Sequence, residues 1–544
     1  MLQRIDNGTR SIVVTWFTLA LIVIGALGGF ASPVALAEGA RKASPPRELA
    51  HLACLEDLLE VAVANSTSLQ MANWELQAAQ GTRSQVGAAL KPQLNVAAQH
   101  KVENAANNLG AIAHINAQQV DPDDRFSSTM ASLTWAQQLG ASPTLKSAIQ
   151  QADIGTEIAN LRREQALAEL VAQVQTGYHG VVRAYNGLKL AEAARQHAKL
   201  NLKAKEDQLS LGTATPLDVL KEKNSYLEAE NGVHAARMGL ELATRALLQT
   251  IGLGDIATEE ALPWAEGLAE GEGPELEKWD IDLDAAYGHA LAKRPEVIMV
   301  GKQKAIAEIA VTQVKEERDW TVKIAGQYIP NDKTVLQSSI DSNRTLVTTV
   351  VRTEKDELPP LTSGSNGDSP FDMGLGGYGG SSEAPELDVD PWQVELSLSY
   401  RFGDGGAKKA QLMAKEAALE KAGLQVEMAK DMVYLELNSL RQELGQKWRA
   451  YQLALEGEKA AKETLSQLEL LYELGSITGK EVREGRIMVL QAESRVLDAH
   501  LSYEAHKCKL AVAVGISGET LAEAVARGQW DDITANLGAV HFEK

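Results

Sequence analysis

Two kinds of hydrophobic periodicity follow each other along the chain. In two long segments, about 145–211 and about 406–474, apolar residues recur at helical spacing, alanine is abundant and no proline interrupts the pattern. At a rise of 1.5 Å per residue, each segment predicts a helix roughly 100 Å long. Gly212 and Gly475 follow these segments, and each glycine precedes a further helical segment of roughly 36 residues. A long helix, a turn with glycine just past its end and a second helix predict an antiparallel helical hairpin, twice.

Four shorter segments have a period of two residues, which predicts β-strands. The clearest are about 318–330 and about 391–403, and weaker versions lie at about 91–103 and about 129–138. Alternation over about ten residues with aromatic side chains toward the ends is typical of outer-membrane strands, although the pattern alone favours an ordinary half-buried sheet. The candidate aromatic girdle consists of Trp135, Trp320, Tyr328, Trp392, Tyr400 and Phe402.

The two hairpin segments are similar in sequence. The stretch that begins at Leu211 aligns without a gap with the stretch that begins at Leu474, and Gly252 then falls on Gly515. The match indicates an internal duplication. The residues expected to form the two hairpin turns are Gly212, Thr215, Pro216, Gly475, Thr478 and Gly479.

The N-terminus predicts export. Arg4 and Arg10 precede a long apolar run, and Ala35-Leu36-Ala37 fits a signal peptidase site, so residues 1–37 are interpreted as a signal peptide. The alternative is an uncleaved anchor, because the run is long for a signal. No later stretch reaches the roughly 20 apolar residues of a spanning helix. Together these features favour the membrane interpretation of the strands.

Charge and motifs exclude several classes of function. A net charge of -20 argues against nucleic acid as a partner, because its phosphates would be repelled. Cys54 and Cys508 form neither a disulfide framework nor a zinc site, and no catalytic constellation, metal site or cofactor site is predicted. The stretch "ELGSITGKEV" is not a phosphate loop, since only three residues separate its glycines and Glu481 follows Lys480.

The strand number predicts an assembly. Four strands cannot close a barrel, and open sheet edges are not tolerated in lipid. Either the strands stay outside the membrane or several chains pool them, and three chains of four strands would supply 12.

The duplicated order of helix, strand, strand, long helix, turn and helix resembles the TolC-type outer-membrane efflux proteins over essentially the whole mature chain. The motifs that carry the resemblance are "ALAKRPEV", "LSLSYRFGDGG" and the twin turns "LGTATPLDVL" and "LGSITGKEV". It implies an α+β membrane protein that forms a homotrimer, with a 12-stranded β-barrel in the outer membrane and a long α-helical coiled-coil tunnel in the periplasm. The implied function is a passive exit duct of a tripartite efflux or type I secretion system, not an enzyme. The implied partners are outer-membrane lipid, a periplasmic adaptor and an inner-membrane pump of the resistance-nodulation-division or ABC type.

This architecture divides the chain into consecutive segments. The expected segments are a signal peptide (1–37), an N-terminal linker (38–54), a first repeat (55–253) with its hairpin tip at about 211–217, an inter-repeat equatorial segment (254–281), a second repeat (282–516) with its tip at about 474–480, and a C-terminal tail (517–544). A segment at about 331–390, rich in Gly, Ser and acidic residues, is expected to be an extracellular loop insertion of the second repeat, within which the β-branched stretch "TLVTTVVRT" at 345–353 favours the extension of a strand.

The resemblance also implies a gate at the tips. Asp218 and Tyr472 fall on positions that form a latch between helices, whereas Ile477 replaces the basic latch residue of the family. Glu481 and Glu484 fall on an acidic ring that constricts the tunnel. From the residues alone, carboxylates in a first helical turn equally complement the helix dipole, and Lys480 is placed to pair with Glu484.

Two other functions stay open at the sequence level. One is a periplasmic adaptor with a coiled-coil hairpin, although adaptors normally have one hairpin and this chain has two. The other is a structural helical protein without a pore, which does not account for the alternating strands.

Overall fold

The computed structural model describes residues 54–104, 125–256, 258–269, 276, 278–318, 320–331, 334–355, 392–528 and 530. The predicted signal peptide therefore lies outside the described residues. The helices are α1 (Leu55–Asn65), α2 (Thr67–Ala88), α3 (Pro143–Ser210), α4 (Pro216–Thr250), α5 (Thr258–Ala269), α6 (Leu283–Lys293), α7 (Pro295–Glu316), α8 (Ala407–Glu473), α9 (Gly479–Val514) and α10 (Gly518–Arg527). The strands are β1 (Gln93–Asn104), β2 (Arg125–Gln138), β3 (Trp320–Asn331), β4 (Thr334–Asp341), β5 (Thr345–Lys355) and β6 (Trp392–Tyr400).

The element order repeats, as the sequence similarity predicts. An 11-residue helix (α1 or α6) and a 22-residue helix (α2 or α7) precede the strands of each repeat. A helix of 68 or 67 residues (α3 or α8) follows the strands, and a helix of 35 or 36 residues (α4 or α9) follows the turn. The predicted fold, a duplicated arrangement of strands and helical hairpins, is confirmed.

The six strands form one antiparallel sheet in the order β1-β2-β5-β4-β3-β6. Four of them, β1, β2, β3 and β6, lie at the positions where the two-residue period predicts strands. β4 and β5 lie inside the segment 331–390, for which the composition predicts a loop. That prediction needs correction, because the Thr- and Val-rich stretch "TLVTTVVRT" pairs with β2 and β4 as a full strand.

A second pair of equivalent glycines explains how each repeat ends. Gly252 and Gly515 have positive φ angles of 79° and 86°. A Cβ atom at Gly252 would lie 2.5 Å from the Asn65 carbonyl oxygen, and one at Gly515 would lie 2.8 Å from the Arg294 backbone nitrogen. Asn65 ends α1, and Arg294 is the single residue between α6 and α7. Glycine is therefore required twice over, by backbone conformation and by close approach of another backbone.

The chain divides into two compact units, each with its own core. One unit contains residues 173–273 and 472–490, and α1 belongs to it. Its core is formed by apolar side chains of α1, α3 and α4, among them Leu58, Val174, Val181, Leu240 and Leu247. The other unit contains residues 68–172, 274–471 and the chain from 491 onward, including the whole sheet. None of the helices in the described residues combines the length and the apolar character needed to cross a membrane.

Candidate functional site

The first hairpin turn is built by a left-handed glycine. Gly212 has a φ of 76°, and its N–H donates to the Leu209 carbonyl at 2.9 Å while Thr213 N–H donates to the Gln208 carbonyl at 2.9 Å. These two hydrogen bonds define a Schellman motif, which satisfies carbonyl groups at the end of α3. In the second turn Gly475 has a φ of 68° and its N–H donates to the Tyr472 carbonyl at 2.9 Å. Both glycines thus reverse the chain.

A carboxylate caps the helix that follows each turn. Asp218 accepts hydrogen bonds from the Thr215 backbone N–H (3.1 Å) and hydroxyl (2.7 Å), and its own N–H donates to the Thr215 hydroxyl (3.2 Å). Glu481 accepts in the same way from the Thr478 backbone N–H (2.6 Å) and hydroxyl (3.0 Å). The hydrogen bond from the Thr215 hydroxyl holds the pKa of Asp218 below its usual range. Thr215 and Asp218 therefore form a reciprocal capping box, whereas the Glu481 N–H donates to the Thr478 carbonyl at 3.1 Å and only the Glu481 carboxylate bonds back to Thr478.

Polar contacts join the two tips within this unit. Lys480 at the start of α9 lies 3.5 Å from Glu222 of α4 and 3.9 Å from Glu484. One turn further along α9, Arg483 Nη2 donates to Asn201 Oδ1 of α3 at 3.0 Å. The Asn201 amide in turn lies 3.2 Å from Nε2 of His197. The start of α9 thus contacts both helices of the first hairpin.

His197 and Arg483 lie in a partly desolvated environment. Burial lowers the pKa of His197, and the nearby Arg483 and Lys480 cations act in the same direction, against Glu484 and Glu222. The Nε atom of Arg483 is buried, and no hydrogen-bond partner for it occurs among the described residues. A buried donor without a hydrogen-bond partner costs about 1–3 kcal/mol, so this contact is partly offset by the desolvation of Arg483.

The sheet exposes an apolar face. On β3 and β6, Trp320 pairs with Tyr400 and Tyr328 pairs with Trp392, so aromatic residues stand at both ends of this strand pair. Between them on β6, Val394, Leu396 and Leu398 are 64%, 70% and 71% exposed. Trp135 of β2 and Phe402 beyond β6 are also exposed, so every residue of the candidate aromatic girdle lies at the surface of the described chain.

The opposite face of the same strands is polar. Lys323 pairs with Ser397 and Gln327 with Gln393 across β3 and β6. Thr349 of β5 donates to the Thr134 hydroxyl of β2 at 3.2 Å. A sheet that is apolar toward one side and polar toward the other, with aromatic residues at the strand ends, has the pattern of a lipid-facing and a water-facing surface.

Comparison with known proteins agrees with this geometry. Residues 58–253 match the outer membrane efflux protein family. The resemblance to TolC-type efflux proteins is confirmed. The fold is similar to the Campylobacter jejuni CmeC outer membrane channel (TM-score 0.60, 12% identity, covering 87% of this chain and 89% of that chain). It is also similar to CusC (TM-score 0.57, 14% identity, covering 85% and 92%) and to the open state of the Neisseria gonorrhoeae MtrE outer membrane channel (TM-score 0.53, 16% identity, covering 85% and 89%). No curated protein matches the chain in sequence.

The residues predicted for the gate all lie at or next to the two hairpin turns. Tyr472 is 52% exposed, and its ring lies beside Gly479, where a Cβ atom would be 3.6 Å from Tyr472 Cε2. No hydrogen bond links Tyr472 to Asp218 in the described part of the chain, and Asp218 bonds within its own helix start. Glu481 and Glu484 are both exposed on α9. A latch and an acidic ring between protomers stay predictions.

Four residues that join the tips carry no motif in the sequence: His197, Asn201, Glu222 and Arg483. They lie on three helices, and Asn201 and Arg483 are 282 positions apart. Charge alternates along all of these helices, so no local pattern distinguishes these four from solvated residues. Only the register between the hairpins identifies them.

Proposed function

We propose that this chain is the outer-membrane exit duct of a tripartite efflux or type I secretion system. Three copies pool their strands into a barrel in the outer membrane, and their helical hairpins form a tunnel that reaches into the periplasm. The observation that carries the proposal is the pairing, in one chain, of a sheet with an exposed apolar face and two hairpins built on helices of 68 and 67 residues. The match to the outer membrane efflux protein family supports it.

In this proposal the duct is passive, because its relatives are channels and energy comes from its partners. A periplasmic adaptor docks on the hairpin tips at Gly212 and Gly475 and connects them to an inner-membrane pump of the resistance-nodulation-division or ABC type. The tips form the gate. Asp218 and Tyr472 act between neighbouring protomers, and six carboxylates from Glu481 and Glu484 of three chains narrow the tunnel and favour cations.

The test is reconstitution of the purified full-length protein in a planar lipid bilayer. We expect trimers that survive detergent and discrete conductance steps. A protein that stays a monomer in water and conducts no ions would overturn the duct in favour of the adaptor or structural alternatives. Proteoliposomes without any energy source separate passive conduction from pumping, since a passive duct equilibrates a solute and does not accumulate it.

A further inference from the structure

The hairpin formed by β4 and β5 lies in the middle of the sheet. β5 pairs with β2 from Ser128↔Lys355 to Gln138↔Thr345, and β4 pairs with β5 on one side and with β3 on the other. The hairpin therefore separates β2, the last strand of the first repeat, from β3, the first strand of the second repeat. A loop that only passed over the sheet would leave β2 and β3 adjacent.

The turn of this hairpin is hydrogen-bonded to both neighbouring strands. Asp341 Oδ1 accepts from Asn343 N–H at 3.0 Å and from Thr345 N–H at 2.9 Å, which shapes the turn. Ser342 N–H donates to the Val322 carbonyl of β3 at 2.6 Å. On the other side the Thr345 hydroxyl donates to the Gln138 side-chain oxygen at 2.9 Å. The turn is thus part of the same edge of the sheet as the ends of its neighbours.

The hairpin continues the apolar face of the sheet. Leu336 pairs with Tyr328 of β3 and with Val350 of β5, and Val350 pairs with Leu133 of β2, so these side chains share one face. Toward the turn, Ile340 and Leu346 are paired on that face. Its two central polar residues, Ser338 and Thr348, hydrogen-bond to each other at 2.9 Å. Arg352 pairs with Thr334 on the same face, but beyond the row formed by Tyr328, Leu336 and Val350 and toward the strand end away from the turn. Between that row and the turn, paired hydroxyls and apolar side chains make the surface compatible with lipid.

Strand directions allow the hairpin to be inserted without changing how copies join. Every neighbouring pair in the sheet is antiparallel, so β2 and β3 run in opposite directions with or without the intervening hairpin. The chain contributes an even number of strands, so the edge strand β6 of one copy is antiparallel to the edge strand β1 of the next. In lipid both edges need a partner strand, because unpaired backbone groups have no water to bond.

We propose that the β4–β5 hairpin is part of the membrane wall, so that each chain contributes six strands and three copies close a barrel of three times six, or 18, strands. This inference rests on the proposed function, because it needs a trimer in a membrane. Barrel diameter grows roughly linearly with strand number, so this barrel is about 1.5 times as wide as one built from four strands per chain. The hairpin accordingly sets the width of the outer mouth.

The experiment is cysteine accessibility in the full-length protein in lipid vesicles. The background is Cys54→Ser, and Cys508 stays, because it is 1% exposed and burial raises the pKa of its thiol to about 12. Such a thiol does not react with maleimides.

Single variants Leu336→Cys and Val350→Cys probe the apolar face, and their neighbours Gln337→Cys and Thr349→Cys probe the polar face. Leu396→Cys and Glu395→Cys on β6 are the matched control pair. The reagent is a charged maleimide that does not enter lipid.

We expect labelling at Gln337→Cys, Thr349→Cys and Glu395→Cys, and loss of labelling at Leu336→Cys, Val350→Cys and Leu396→Cys. If the hairpin positions label equally while the β6 pair alternates, the hairpin lies outside the wall and the inference fails, but the duct stands. If the β6 pair does not alternate either, both proposals fail. Electron cryomicroscopy of the unmodified trimer in lipid nanodiscs counts the barrel strands independently. We expect 18 strands, and a barrel of 12 strands would overturn the inference.

Discussion

Lys480 Nζ lies 3.5 Å from Glu222 Oε1, so an ion pair joins the beginning of α9 to α4 at the hairpin tips. The side chain of Glu222 is 19% exposed and that of Lys480 is 46% exposed. The position two residues after Gly475, where the family resemblance implies a basic latch residue, is Ile477. Lys480 supplies a cation close to that position, and within one chain it already has an acidic partner.

Reversing this charge is expected to open the tips. In Lys480→Glu the new carboxylate faces Glu222, and an exposed pair contributes up to about 1 kcal/mol, so the ratio of open to closed channels rises up to about fivefold. The measurement is resting conductance in planar bilayers. The swap Lys480→Glu with Glu222→Lys should restore low conductance, and Lys421→Glu on α8 is the control. Equal conductance of the single reversal and the swap would contradict the pairing.

The two acidic residues of α9 are expected to contribute differently to ion selectivity. Glu481 is held by Thr478, whereas Glu484 makes a looser ionic contact, with Lys480 at 3.9 Å. Glu484→Gln should therefore lower the preference for cations and the block by multivalent cations. Glu481→Gln should also weaken the helix cap, which is worth about 1 kcal/mol. Reversal potentials across a salt gradient measure selectivity, and an unchanged potential in the double variant would count against the acidic ring.

Because the pKa of His197 is lowered in the folded protein, we expect the protein to lose stability in mild acid. Burial lowers the pKa of His197 in the folded protein, and above the ordinary histidine pKa both states are neutral and stability does not depend on this group. As the pH falls below that value, the unfolded chain takes up a proton that the folded state does not, so unfolding becomes more favourable until the folded pKa is passed.

The measurement is the thermal unfolding midpoint between roughly pH 7.5 and pH 5, a range that spans the ordinary histidine pKa. His197→Gln should show a smaller decrease than the natural protein, since the titrating group is gone. His500, whose pKa burial also lowers, stays in both proteins and contributes to the remaining slope. Identical slopes would show that His197 titrates normally.

The two pairs of equivalent glycines are expected to respond unequally to substitution. A Cβ atom added at Gly212 or Gly475 would have no described atom within 4 Å, so Gly212→Ala and Gly475→Ala meet only the left-handed strain of about 1–2 kcal/mol. Gly252→Ala and Gly515→Ala add a steric clash with backbone atoms at 2.5 and 2.8 Å. We expect trimers from the first pair and a severe loss of folded protein from the second. Comparable yields of purified trimer for both pairs would contradict this difference in packing.

A buried ion pair in the sheet-containing unit supplies a further test. Lys507 lies 2.9 Å from Glu504, and they are 3% and 9% exposed, while the Trp530 indole N–H donates to Glu504 at 3.1 Å. Lys507→Met leaves a buried carboxylate without its cation and should destabilise the fold by about 3–5 kcal/mol. Adding Glu504→Gln should recover much of this loss, because the amide still accepts from Trp530. Additive effects on denaturant-induced unfolding would refute the coupling.

Much of the candidate site could be predicted from the sequence, because its turns and helix caps depend on residues that are close together in the chain. The turn glycines, the caps at Thr215 and Thr478, and the acid pair Asp218 and Glu481 all lie within a few residues of a helix end. Backbone conformation and capping depend on neighbours in the chain, so the residue types suffice to predict them. The contacts of Arg483 with Asn201 and of Lys480 with Glu222 depend on how two hairpins are aligned, and no residue type encodes that alignment.

By itself the sequence determined the duplication, the two helical hairpins and the strands with a clean two-residue period, because each depends on spacing along one segment. The place of β4 and β5 depends on the tertiary structure, because Val and Thr lie on both faces of β5 and its sequence shows no clear alternation. The tertiary structure also distinguishes the two pairs of aligned glycines: a Cβ atom at Gly212 would have no described atom within 4 Å, whereas one at Gly252 would clash with the backbone of Asn65. Identical residues differ in this way because packing partners far away in the chain define what each position must accommodate.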